Sequence, residues 1–240
     1  MPEPQAVQSM FSRIAGSYDL LNRTLSLGID QRWRKRTVRQ ADVQDGQLVV
    51  DVCTGTGDLA AAFARSGARV VGVDFTYEMV RRSPKKVRSD DPATVFVHGD
   101  AMRLPLSDDA ADVATVAFGI RNVADRRGGL REMSRVVRPG GRVLVLEFTT
   151  PSNGLFAWIY KTYFTQVLPR IGRLVSKDND AYEYLPRTVL AWPDPDRFMA
   201  EMEEEGLVDC GYARLTQGIA CLHWGTVAPG RNIGAEKPSA

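Results

Sequence analysis

Between Gln47 and Phe148 the chain repeats one pattern. A short run rich in β-branched residues is followed by a stretch with apolar residues at helical spacing, and the pair recurs. The runs are Gln47 to Cys53, Arg69 to Asp74, Thr94 to His98, Asp112 to Phe118 and Arg142 to Phe148. Between them, Asp58 to Arg65, Tyr77 to Arg88 and Gly129 to Val137 read as helices, and Arg138-Pro139-Gly140-Gly141 reads as a stop before the next strand. Such alternation builds βαβ units, so it predicts an α/β fold with a doubly wound parallel sheet. With 240 residues, 44% of them hydrophobic, the chain can bury the core of one large domain, expected over 1–228. Beyond Pro195 a helix from Asp196 to Glu205 precedes Leu207 to Leu215, a Thr216-Gln217-Gly218 turn and Ile219 to Val227. Residues 1–40 form a helical region and 151–195 an insertion, both outside the sheet, where extra segments shape substrate pockets. The tail 229–240 has the composition of a disordered segment.

Charge and cysteine content exclude several classes. Lys+Arg number 31 and Asp+Glu 29, with the signs interspersed, which gives no basic face for nucleic acid. Cys53, Cys210 and Cys221 are widely spaced and odd in number, and the histidines His98 and His223 stand alone, so neither a disulfide framework nor a metal site is expected. No stretch reaches the roughly 20 apolar residues of a membrane span, and Met1 to Met10 has no apolar core. The expected location is cytoplasmic.

The segment Asp51-Val52-Cys53-Thr54-Gly55-Thr56-Gly57-Asp58 leaves an apolar strand and opens a helix, where Gly55 and Gly57 let backbone approach a nucleotide-like ligand. A dinucleotide fold would want G-x-G-x-x-G, and Cys53 and Ala60 occupy the first and third of those glycine positions, against an NAD-dependent oxidoreductase. Asp74 ends the second strand about 20 residues on, the place for a carboxylate accepting both ribose hydroxyls. Asp100 and Ala101 follow the third strand, where a carboxylate and a backbone amide meet an adenine edge. Ordinary turn residues at strand ends are the competing explanation for each of these singly.

Phe118-Gly119-Ile120-Arg121-Asn122-Val123 and Leu146-Glu147-Phe148-Thr149 go further. Together with Met10-Phe11 through Tyr18-Asp19 and Asn22, with Leu25-Ser26, Gly28 and Trp33-Arg34, with Tyr182 to Leu185, and with Leu215-Thr216, Gly218-Ile219 and His223, they resemble the ubiquinone/menaquinone C-methyltransferase family from about Met10 to Gly225. The resemblance implies a Rossmann-like class I methyltransferase fold, with a mostly parallel seven-stranded sheet closed by a C-terminal antiparallel hairpin. It implies S-adenosyl-L-methionine as cofactor, contacted by Thr56, Asp74, Asp100 and Ala101 as well as the loop glycines. One position departs from the pattern: Ala117 stands where the family often has Ser, so a hydroxyl contact is absent.

The implied reaction is C-methylation of a polyprenyl quinol ring. Arginines number 25 against six lysines, a composition associated with GC-rich genomes whose hosts often use menaquinone alone. That favours demethylmenaquinol over the benzoquinol precursor of ubiquinone; the motifs do not separate the two. Arg121 and Asn122 follow the fourth strand, where a guanidinium can stabilise a phenolate, and Tyr18 with Asp19 sits in the N-terminal lid. Arg121, Asn122 and Tyr18 are therefore the expected catalytic residues, against a paired structural arginine and a packing tyrosine as the plainer alternatives. His98 and His223 read as structural. The stretch 155–175 mixes Trp, Tyr and Phe with cations. It suits peripheral contact with the inner face of the plasma membrane, or equally a lid packed on the domain or across a homodimer. A non-catalytic S-adenosylmethionine-binding protein is the alternative from another class; it would not need the Arg121-Asn122 pair.

Overall fold

The structure, a computed structural model, describes residues 3–16, 18–26, 28–151, 154, 162 and 179–230. The proposed membrane-contact stretch 155–175, apart from residue 162, and the tail 231–240 lie outside the described residues. Seven strands form one sheet: β1 Leu48–Val52, β2 Arg69–Asp74, β3 Thr94–His98, β4 Ala111–Ala117, β5 Val137–Phe148, β6 Leu207–Leu215 and β7 Ala220–Val227. Their order is β3-β2-β1-β4-β5-β7-β6. The first five run parallel, and β7 lies antiparallel between β5 and β6. This is the expected sheet with its closing hairpin.

Alternation along each central strand covers both faces. Val49, Leu144 and Leu146 point to one side, where Trp33 of α3 (Asp30–Ala41) and Leu59 and Phe63 of α4 (Asp58–Ala64) bury them. Val50, Val143 and Val145 point to the other, under Leu130 and Met133 of α6 (Arg126–Val136) and Phe198 and Met202 of α8 (Pro195–Glu204). Two further helices, α1 (Pro4–Ile14) and α2 (Tyr18–Ser26), precede α3, and α7 (Asn179–Leu190) precedes α8.

Three local expectations change. Tyr77 to Arg88 is not one helix: α5 spans only Tyr77–Val80, and a 3-10 turn takes Ser83–Lys86. Pro84 lacks the N–H that would continue the ladder. Helix α6 starts at Arg126, three residues early, through Gly128 and Gly129. Burial of Leu130, Met133 and Val136 outweighs the roughly 1 kcal/mol that each glycine costs. The Arg138–Gly141 turn does not precede β5 but loops out of it, since Val137 pairs with Ala111 and Arg142 with Val113.

His223, in the middle of β7, is a core histidine as the sequence suggested. Its Nε2 lies 3.1 Å from the Pro195 carbonyl, which can only accept, so Nε2 carries the proton. Burial pushes its pKa down to about 4. Asp51, buried at the end of β1, moves the opposite way: burial raises it to about 7, against the hydrogen bond from Thr54 and the charge of Arg34. The two act oppositely on stability. A depressed histidine makes the unfolded chain bind more protons, so its contribution is lost as pH falls below 6.5; a raised aspartate penalises the folded chain at neutral pH and releases that penalty as pH falls through 7. Asp51→Asn removes that opposing contribution, so its stability should fall more steeply than the parent's between about pH 6.5 and 5 in urea unfolding, the histidine alone accounting for about 2 kcal/mol. In His223→Phe stability should rise over the same interval. Parallel profiles for the two variants would refute this assignment.

Candidate active site

The sheet order reverses between β1 and β4, and the strand C-termini on either side of that crevice carry strained backbone. Cys53 after β1 and Phe118 after β4 both have positive φ, 52° and 59°, a conformation that non-glycine residues adopt at a cost. They face one another closely: a Cβ on Gly119 would overlap the Cβ of Cys53, so only glycine fits there. Backbone bonds hold both turns, from Thr54 N–H to the Val73 carbonyl at 3.0 Å and from Phe118 N–H to the Leu146 carbonyl at 2.8 Å. Open α/β sheets bind ligands at such a switch point.

A cleft opens there, about 830 Å³ including its mouth, within the range of small-molecule sites. Of the residues expected from the sequence, Tyr18, Gly55, Asp74, Asp100, Ala101 and Asn122 all line it. Asp74 is held by two backbone donors, Gly55 N–H to Oδ2 and Thr76 N–H to Oδ1, each at 2.8 Å. Each oxygen keeps acceptor capacity for a further donor. Burial raises the carboxyl above its ordinary pKa, and the two amides pull it back. Asp100 Oδ1 accepts from Met102 N–H at 2.9 Å, which fixes the turn carrying Ala101. Burial also raises the Tyr18 phenol, against Asn22 and the charges of Arg34 and Arg121.

Thr56, Gly57 and Arg121 do not line this cleft. The Thr56 hydroxyl donates to Asp19 Oδ1 at 2.5 Å and accepts from Lys86 Nζ at 2.7 Å. Lys86 also pairs with Asp19 and Asp58, at 2.8 and 2.7 Å. Thr56 thus ties the N-terminal helices to the glycine loop. A Cβ on Gly57 would press on Phe96 and Ser83, so this glycine serves packing behind the loop.

Arg121 lies on the 3-10 turn Ile120–Asn122 and forms a buried ion pair. One of its terminal nitrogens donates to Glu147 Oε1 at 2.5 Å and to the Phe118 carbonyl at 2.6 Å, with side-chain exposures of 7% for Arg121 and 0% for Glu147. Its guanidinium lies 5.5 Å from the Phe148 ring centroid. Arg121 and Tyr184 of α7 line a second cleft, which shares Val123 and Ala124 with the first. Burial raises the Tyr184 phenol and Arg121 lowers it. The sequence reading did not give Glu147 a partner. A lone carboxylate in the apolar run Val-Leu-Val-Leu-Glu-Phe was the available signal, because a buried charge requires a counter-charge. It also missed Pro4, Val7, Gln8 and Phe11, with which α1 walls the cleft. Among the described residues no group of His, Cys, Asp and Glu has metal-binding geometry, and no helix is long and apolar enough to cross a membrane.

The fold matches methyltransferases of known structure. A SAM-dependent methyltransferase from Thermotoga maritima superposes with a TM-score of 0.63 at 17% identity, covering 92% of this chain and 99% of that one. Another from Aquifex aeolicus gives 0.59 at 15%, covering 81% and 89%. The fold is that of the Rossmann-like methyltransferases. Residues 2–227 match the model of the ubiE/COQ5 methyltransferase family, and the chain belongs to that family. Among its relatives, the demethylmenaquinone methyltransferase of Deinococcus radiodurans is 47% identical over 218 residues, 90% of each chain. The protein of the same name from Mycobacterium tuberculosis strain H37Rv is 43% identical over 228 residues, 93% of each.

Proposed function

We propose that this chain methylates a ring carbon of demethylmenaquinol to give menaquinol, using S-adenosylmethionine. One observation carries the reading: a single cleft brings the Asp74 carboxylate together with Tyr18 and Asn122, in a chain 43–47% identical to proteins named demethylmenaquinone methyltransferase.

The residues fit the cofactor. Asp74 offers its two oxygens to the two ribose hydroxyls, Asp100 and Ala101 line the cleft where an adenine edge would lie, and Gly55 leaves room for backbone approach. Thr56 and Gly57 act behind the loop, Thr56 by holding its neighbours through Asp19 and Lys86. Bound S-adenosylmethionine supplies an electrophilic methyl group on a sulfonium. The chain's task is then to make the quinol ring nucleophilic and aim it. Loss of the phenol proton sends electron density to the ring carbon that attacks, and the proton on that carbon leaves afterwards. Arg121 serves the first step by its field: it pulls down the pKa of both nearby phenols, Tyr18 and Tyr184, against the burial that raises them and, at Tyr184, against Glu147, and the same field acts on a quinol hydroxyl in the cleft. Tyr18 and Asn122 offer polar contacts in the cleft itself. Trp, Tyr, Phe and cations in 155–175 suit the membrane interface where a polyprenyl tail resides; cosedimentation with anionic vesicles, lost on deleting the segment's cations, tests that contact.

The deciding assay offers demethylmenaquinol and the ubiquinone-pathway benzoquinol side by side with methyl-labelled S-adenosylmethionine. Label in the naphthoquinol product supports the reading, and label in the benzoquinol product alone moves the substrate to the ubiquinone pathway. Label in neither, with cofactor bound, makes the chain a non-catalytic binder.

A further inference from the structure

Asn122 lies on the turn after β4 and lines the cleft, and its carboxamide is oriented by two groups from different elements. The amide nitrogen lies 3.5 Å from the Phe118 carbonyl, at the outer limit of a hydrogen bond. A carbonyl can only accept, so the nitrogen end belongs on that side. The amide oxygen then faces α7, where the Tyr184 hydroxyl donates to it at 2.9 Å. Phe118 is itself in the strained conformation noted above, and its carbonyl is pinned by Arg121. The orientation of Asn122 therefore depends on one firm contact, and that contact comes from the helix following the 151–178 segment.

We propose that Tyr184 is a positioning residue for methyl transfer. Its hydroxyl holds the Asn122 carboxamide so that the amide hydrogen not directed at Phe118 stays available as a donor to an oxygen of the acceptor ring. Without that bond the carboxamide turns freely between presenting a donor and presenting an acceptor, and a ring oxygen acquiring negative charge is met by a donor only part of the time. Tyr184 also lines the second cleft, which shares Val123 and Ala124 with the first. This inference rests on the quinol C-methylation reading for its consequence in turnover, but the hydrogen bond and its effect on Asn122 do not depend on that reading.

The test uses the full chain and Tyr184→Phe, which keeps the ring and removes only the hydroxyl. The expected result is a fall of about tenfold in kcat/KM for demethylmenaquinol, the effect of losing one orienting hydrogen bond, with the dissociation constant for S-adenosylmethionine and the urea midpoint unchanged. In an Asn122→Ala background the same change should cost nothing further, because the residue it positions is gone. Independent, multiplicative losses, or full activity in Tyr184→Phe, overturn the proposal. A second readout needs no substrate: the side-chain NH₂ resonances of Asn122, assigned by their loss in Asn122→Ala, should shift and exchange faster with solvent in Tyr184→Phe. If the parent chain turns over no quinol, the functional reading fails while the amide signal still decides whether Tyr184 holds Asn122; an unmoved signal overturns the positioning role by itself.

Discussion

Glu147→Ala should cost the chain about 3–5 kcal/mol of folding stability, the effect of stranding one member of a buried ion pair. The loss comes less from the bond than from what remains. Arg121 has 7% side-chain exposure; with the carboxylate gone, its charge keeps, among the described residues, the Phe118 carbonyl and the face of Phe148. The Phe148 N–H also loses its acceptor, since Glu147 Oε1 takes that bond at 2.9 Å. Glu147→Gln keeps an acceptor for both donors and should fall between the parent and Ala. A double variant, Arg121→Met with Glu147→Leu, fills the space without charge and should recover most of the stability, as replaced buried pairs often do. It should not recover turnover, because the field on the ring hydroxyl is absent. Urea unfolding and the methyl-transfer assay, run on the same four proteins, separate the two roles. An unchanged urea midpoint in Glu147→Ala would mean that the pair is not buried as described. Full turnover in the double variant would remove Arg121 from the chemistry.

What was legible in the sequence followed from local physics. The parallel strands announce themselves as β-branched runs because both faces are covered, so nothing polar interrupts Val49-Val50 or Val143 to Leu146. Asp74 could be placed because strand length and crossover length fix its distance along the chain from the glycine loop. Side-chain partners were legible only in part, because they are set by elements far apart in sequence. Thr56 reads as a ligand contact, and the sequence does not show that Asp19, 37 residues earlier, and Lys86, 30 residues later, meet its hydroxyl. Arg121 reads as a group for the substrate, and the sequence does not show that Glu147, 26 residues on, holds it. The resemblance marked both Arg121 and Glu147 without saying that they touch. Helix α6 shows the converse: expected from Gly129, it starts at Arg126 and runs through both glycines, because the buried face of Leu130, Met133 and Val136 outweighs their local cost.

Asp74 carries the other large effect. Its two oxygens each accept from one loop amide, so the residue shapes the Gly55 and Thr76 turns and, in the function proposed above, also meets the ligand. Replacing it with Asn is the sharper test than Ala. The carboxamide can accept from only one of the two amides; its NH₂ end meets the other N–H donor to donor, and it offers one acceptor in place of two. Losing one charge-assisted hydrogen bond and the charge assistance of the other should weaken S-adenosylmethionine binding by about 2–3 kcal/mol, a roughly 30- to 150-fold rise in Kd. Because burial raises the Asp74 carboxyl above the ordinary range, the parent's affinity should also decline as pH falls through that raised value, the carboxylate then being protonated and one acceptor becoming a donor. The Asn variant has no such proton to take up, so its weak binding should lack that acid dependence. Calorimetric titration of both proteins across the acid range reads both effects. Equal affinities at neutral pH would remove Asp74 from the cofactor site, whereas weak binding in the variant with the parent's acid decline retained would leave Asp74 in place and assign the titration to another group in the cleft.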